Sequence, residues 1–415
     1  MAADPTDLPA RSAASATPWR IVILLGSLTA FVAMSIDMYL PGLPAIGADF
    51  HARPGAAQAT LASFFTGLAI GQFFYGPASD RWGRRWPLFG GVAVYVATSV
   101  WCALASSLEM LVVARFFQAL GGCAGPVIAR AVVRDRFDHR QSARILSQLM
   151  LVMGLAPIVA PLVGGALVSV GGWRVIFWIL AGFGAVVGVW MYLAMGETRS
   201  VETARQARGE HPVRGYLTLL RQRALIGYIL SGSLNSAALF AYITASPGLI
   251  IQTWHIPPTQ FGLVFGVNGI GLIGMSQVNA HLLHRHTPET ILMRSRLPAI
   301  ACAVALAVDA FTGWGAMWGV LIPLFFVMSS FGLVGANTQA AGLNVDPLRA
   351  GSISALMGGA GFALGALAAG LCGVLTAAWP SAGARPMATV ILAAMLASSA
   401  ALFFVARPGR PSDDL

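Results

Sequence analysis

The chain has 415 residues, 57% of them apolar and 10% charged, with a formal net charge of +10. A water-facing surface brings the charged share of a globular chain to about 25%, so composition excludes an ordinary soluble protein and indicates a polytopic membrane protein. Every basic residue of the Lys/Arg class is Arg, dealt out between apolar runs and not gathered on one face, which makes the charge a topology signal and sets nucleic acid aside as a partner.

In chain order, a small polar tail (1–19) leads into an apolar run from Trp19 to Pro44. Crossing a bilayer takes roughly 20 apolar residues, so this run is long enough, and it is too long for a signal peptide. It carries one acid, Asp37, followed at once by Met38-Tyr39-Leu40-Pro41-Gly42-Leu43-Pro44, which predicts a bend or break just beyond the charge. A charge inside hydrocarbon is costly and is tolerated where it faces protein or a watery cavity, so Asp37 is read as a proton-carrying group. The competing reading is an acid that snorkels to the surface from the last turn of its helix.

Twelve spans are predicted: 20–40, 57–79, 87–106, 109–130, 145–168, 174–195, 224–246, 260–282, 295–312, 316–338, 350–374 and 385–406. With the N-terminus inside, Arg53, Arg174 and Arg385 fall outside, Arg115 falls within a span, and the remaining arginines lie on the cytoplasmic side. Both termini are then cytoplasmic. The longest connection, 196–223, is polar and charged and divides the chain into six-span bundles at 20–195 and 224–406, ahead of a polar tail at 407–415. An all-α membrane protein of two six-helix bundles is the expected fold, with a site at midplane between the halves.

Small residues crowd span five (Gly154, Pro157, Pro161, Gly164, Gly165) and span eleven (Gly358, Gly359, Gly361, Gly365, Gly370), which predicts close helix contacts between the halves. The four cysteines sit in apolar runs without metal-ligand spacing and read as small buried residues. His281, His284 and His286 read as a solvated basic loop and not as a metal site, and no phosphate-binding loop is present to couple ATP. Asp309, near the end of span nine, reads as a surface acid.

The turn between spans two and three reads Gly76-Pro77-Ala78-Ser79-Asp80-Arg81-Trp82-Gly83-Arg84-Arg85. It resembles the GxxxDRxGRR signature of the major facilitator superfamily, in the position where that signature belongs. Gly76 would permit close helix contact and Gly83 a tight turn. Asp80 would face a helix N-terminus, and Arg81, Arg84 and Arg85 would pair with acids or lipid phosphates, Asp135 being a candidate. Arg115-Phe116-Phe117-Gln118 resembles the RxxQ element of proton-coupled drug antiporters, and span five resembles their antiporter signature, with Ala156-Pro157 and Ala160-Pro161 where Gly-Pro is usual. Asp37-Met38-Tyr39-Leu40-Pro41, Trp173-Arg174 through Trp178, and Gln260-Phe261-Gly262 with Asn268 are similar to the bicyclomycin/chloramphenicol-resistance branch. The resemblance implies a drug:proton antiporter, monomeric, in a bacterial inner membrane, using the proton gradient in place of a cofactor.

Apart from the family, Arg115 lies six residues below Glu109, about 9 Å, and Asp37 four residues before Pro41, about 6 Å, so both charges are expected at similar depth and paired. A carboxylate whose exposure and distance to an Arg both change can take and release a proton. Candidate substrate contacts are Tyr39, Gln118, Asn235, Phe240, Tyr242, Phe326, Phe331 and Asn337, mixed aromatic and amide groups suited to amphipathic small molecules. Packing between helices is the competing role for these, as interhelical hydrogen bonding is for Asn268 and Gln277. The expected activity is export of such compounds, with a specific-metabolite exporter as the alternative. An enzyme would need a nucleophile, metal cluster or acid pair at a membrane face, and a receptor an extramembrane signalling domain.

Overall fold

A computed structural model describes residues 19–199, 212–379 and 383–406; the tails, the middle of the linker and residues 380–382 lie outside the described residues. Among the described residues there is no strand. Span one runs Trp19–Asp49, span two Ala59–Trp82, span three Arg85–Ala103, span four Leu108–Arg136, span five His139–Gly171 and span six Arg174–Ala194. A short helix, Pro212–Leu219, precedes span seven (Arg223–Thr253), span eight (Pro258–Leu282), span nine (Pro288–Thr312), span ten (Ala316–Val345), span eleven (Ala350–Ala378) and span twelve (Arg385–Ala406). Eleven of these are long and apolar enough to cross a membrane. Span two has the length, at 24 residues, but carries Thr60, Ser63, Thr66, Gln72, Ser79 and Asp80. It can afford that polarity because it is wedged between spans four and eleven.

Helices are the natural solution here, since hydrocarbon offers no partner for a free backbone group. Their starts are capped where the sequence supplies a short oxygen: Ser107 accepts from Met110 N at 3.1 Å, Asp138 from Gln141 N at 2.8 Å and Thr287 from Thr290 N at 3.3 Å. The predicted bend after Asp37 is mild. One turn leads into a 3₁₀ segment, Leu40–Gly42, and then a helix, Leu43–Asp49, with Pro41 and Pro44 in first turns, where a missing N–H costs nothing. Span one therefore continues twelve residues past Asp37, which puts the acid near mid-span and not in a final turn.

The halves meet along two seams, span two on span eleven and span five on span eight. Spans five and eleven thus each cross to the other half, against spans eight and two respectively. Span five stays helical through Pro157 and Pro161. Its small residues explain the closeness: a Cβ on Gly164 would collide with the Met38 carbonyl, and one on Gly165 with the Pro258 carbonyl. Gly154 is looser, its nearest neighbour being Ile273 at 3.7 Å. Gly165–Pro258 and the approach of Gly55 to Gly373 both lie at the end of the bundle remote from the termini, termed the far end below.

Candidate functional site between the two halves

Arg115 projects from span four into the interior of the first half and is 0% exposed. Its Nη1 donates to the Ser35 carbonyl at 3.0 Å and to Gln118 Oε1 at 2.7 Å, and Gln118 Nε2 donates to Ser99 at 2.8 Å. The guanidinium stands 4.4 Å from the Tyr39 ring centroid and 4.0 Å from that of Phe64. Such faces attract a desolvated cation, and they do so here without an acid. Nε and Nη2 have no hydrogen-bond partner.

The expected Asp37–Arg115 pair is not formed: among the described residues no ion pair or hydrogen bond reaches the Asp37 carboxylate. The two do lie at one level, because Arg115 touches Ser35 and Tyr39, two residues before and two after Asp37 along span one. Direction around the helix is what differs. Two positions along a helix turn a side chain by about 200°, so a residue midway between Ser35 and Tyr39 faces the opposite way. Asp37, 5% exposed, looks out of the first half, with the Leu40–Gly42 segment behind it packed on spans five, seven and eight. There it comes within electrostatic reach of Tyr242 of span seven. Tyr242 accepts a hydrogen bond from Asn268 Nδ2 at 2.9 Å and stacks on Phe265 at 5.1 Å.

Of the other predicted substrate contacts, Phe240 sits on a seam, its ring 4.3 Å from Phe65 of span two and 5.6 Å from Phe362 of span eleven. The six others lie in different surroundings. Tyr39 and Gln118 are sealed inside the first half around Arg115, with Tyr39 Oη 2.7 Å from Thr60 Oγ1. Phe326 is 51% exposed on span ten, and Asn337 is spent on a 2.6 Å hydrogen bond to Asn279 of span eight. Phe331 is buried in the core, and Asn235 borders a cavity of about 20 Å³ within the second half, with Ser231 and Arg296. Asp309 is not a surface acid but is 9% exposed, its Oδ1 accepting from Gly315 N at 2.6 Å.

At the end nearer the termini, the signature turn forms a charged cluster. Arg84 Nε donates to Asp135 Oδ2 at 2.8 Å, and Nη1 donates to Ser79 Oγ at 2.8 Å and to Asp80. Burial works against the charge on Arg84, but Asp135 and Asp80 more than offset it and hold its pKa above the ordinary value. Arg85 donates to the Tyr192 carbonyl at 3.1 Å, and Arg81 is exposed. Gly83 turns at φ +94°, a region that suits glycine. Gly76 departs from expectation, because a Cβ there would meet open space and no close helix contact depends on it.

Glu197, which sequence reasoning missed, fastens this turn from the end of span six. Its carboxylate accepts from the backbone N–H of Arg84 (2.9 Å), Arg85 (3.3 Å), Thr198 (3.0 Å) and Arg199 (2.9 Å). Partial burial disfavours its charge, but those four donors outweigh it and draw its pKa below the usual 4.5. Arg199 adds bonds to the carbonyls of Asp80 (3.1 Å) and Arg81 (2.7 Å). The place of Glu197 directly after a span is the one feature that sets it apart from Glu202 and Glu210 in the same connection. No group of three or more metal-ligating side chains occurs among the described residues.

A helical bundle of this kind, with a buried acid near mid-span, defines a membrane transporter. Residues 25–370 match the model of the Major Facilitator Superfamily, and the chain belongs to that family. It is 31% identical over 388 residues to an uncharacterized MFS-type transporter of Bacillus subtilis (strain 168), covering 92% of this chain and 94% of the relative. It is 30% identical over 384 residues to a bicyclomycin resistance protein homolog of Haemophilus influenzae (92% and 95%), and 27% identical over 396 residues to the multidrug resistance protein MdtL of Escherichia coli (94% and 97%). Among solved structures, a D-xylose-proton symporter superposes with a TM-score of 0.74 at 13% identity, over 92% of this chain and 97% of that one. A bacterial homolog of the human lysosomal transporter Spinster gives 0.72 at 16%, over 95% and 98%. These last two share the fold.

Proposed function

We propose that the protein is a proton-coupled exporter that exchanges external protons for small amphipathic compounds from the cytoplasm, as a monomer in a bacterial inner membrane with both termini inside. The observation that carries this reading is Asp37, a buried carboxylate near mid-span without a counter-ion among the described residues. An acid in that position is costly to keep charged, and rocking of the halves would change its access to water. With the termini inside, the far-end contacts between the halves lie on the outer side. The relatives' names, bicyclomycin resistance and multidrug resistance, support drug-like cargo. Arg115 serves the coupling indirectly, by fixing the face of span one that sets where Asp37 points. Asp80, Arg84, Asp135 and Glu197 make the near end of the first half move as one piece.

The test is purified protein in liposomes, offered a panel headed by bicyclomycin and chloramphenicol under an imposed pH gradient. Accumulation that a protonophore collapses is expected; accumulation indifferent to the gradient would refute proton coupling.

A further inference from the structure

We infer that the second half binds one water molecule at a fixed internal site, where it accepts a hydrogen bond from Arg296 of span nine and donates one to Asn235 of span seven. The site is built by helix faces that converge. Ser231 and Asn235 stand four residues apart on span seven, Arg296 and Ala299 three apart on span nine, and Met395 and Ser398 three apart on span twelve. All six border the cavity of about 20 Å³, and Val334 of span ten completes its wall. Spans seven and nine each pack on spans ten and twelve, so the cavity is the middle of a four-helix group. It lies about 12 Å from the near ends, eight residues along span nine from Pro288.

Two of the wall groups lack partners. Asn235 is 2% exposed, and its Oδ1 is buried with nothing to accept from. Arg296 Nε is buried with nothing to donate to, and no acid pairs with this arginine among the described residues. An unpaired donor and an unpaired acceptor are each costly away from water. The serines are not in want: Ser398 Oγ donates to the Ser231 carbonyl at 2.8 Å and lies 3.1 Å from Ser231 Oγ, which fixes span seven on span twelve. Beside them span twelve widens into a π-helix over Ala401–Ala406, an irregularity that often accompanies a functional position. From this segment the Phe403 ring lies under the Arg296 guanidinium, 4.8 Å to its centroid, and the Phe404 carbonyl accepts from Arg223 Nη2 of span seven at 3.1 Å.

Size and chemistry choose the occupant. A polar cavity needs on the order of 10–15 Å³ to hold a water, so this one takes about one molecule and no organic cargo. A halide would accept from Arg296 but has no proton for Asn235. A metal cation would face the charge of the guanidinium. Water both accepts and donates, and a bridge of this kind is nearly as favourable as a direct hydrogen bond. It joins spans seven and nine across the centre of the group and gives Arg296 a partner in place of an acid.

Radiolytic hydroxyl-radical labelling of the full chain in liposomes, read by mass spectrometry, tests this, because radicals born from a bound water oxidise the side chain beside it. Met395 is the reporter: it is buried and borders the cavity, whereas Met328 of span ten and Met191 of span six are buried and do not. Met395 should oxidise several-fold faster than either. Asn235→Leu keeps the bulk of the side chain and removes the acceptor, and it should bring Met395 down to the rate of the other two. Replacing chloride with gluconate should change nothing. In the wild-type protein, where no variant has to fold, a Met395 no faster than Met328 overturns the site. Rapid oxidation that survives in Asn235→Leu overturns the bridge. Oxidation that rises when chloride is withdrawn identifies a halide in place of the water and overturns the assignment.

Discussion

At Asp37 and Arg115, position around the helix decides chemistry that position along it leaves open. The guanidinium is held by Tyr39, Phe64, the Ser35 carbonyl and Gln118, all of the first half, and so belongs to the packing of that half. Arg115→Ala would remove that cation and leave Gln118 Oε1 buried with only the Cys102 thiol, 4.0 Å away, as donor, at about 1–3 kcal/mol for the weakened group and more for lost stacking. A fall of several degrees in the thermal midpoint in detergent is expected. A wild-type midpoint with abolished transport would return Arg115 to a direct part in coupling. Asp37 offers the contrasting case, since nothing in the structure depends on its charge, and Asp37→Asn should fold with little change.

Among the helices, two predictions follow from what glycines and one acid touch. Gly165→Ala would drive a Cβ into the Pro258 carbonyl, forcing spans five and eight apart, and overpacking of this kind costs about 1–3 kcal/mol. Gly76→Ala meets nothing and should shift thermal stability by less than about 0.5 kcal/mol. Equal effects of the two substitutions would contradict the seam described here. Glu197 has a folded-state pKa below its ordinary value, so its contribution is fully present above about pH 4.5 and is lost as pH falls through the folded value. Glu197→Gln should mimic that loss at neutral pH, loosening the peptide at Arg199 and speeding its cleavage by trypsin. Unaltered cleavage would mean that the clasp does not hold this turn.

For the molecule as a whole, the all-helical membrane fold was legible because apolar length is a long-range signal that survives errors of several residues. Span one shows the limit: Pro41 and Pro44 suggested an end, but prolines in first turns let the helix run on to Asp49. The site was read less completely. Sequence placed Asp37 and Arg115 at one level but could not say which way each faced. Asn337 and Tyr39 have the composition of cavity residues and are consumed by partners inside one half. Glu197 was invisible because its partners are backbone N–H groups, which every sequence possesses. The pair Asp80 and Arg84, by contrast, stood out through a specific motif.

The central claim is that protonation of one buried mid-span carboxylate drives export. The most direct measurement compares wild-type protein and Asp37→Asn in liposomes, in gradient-driven accumulation and in substrate exchange at equal pH on both sides. Wild-type protein should do both, and Asp37→Asn should retain exchange while losing accumulation altogether. Accumulation by Asp37→Asn at the wild-type rate would contradict the account.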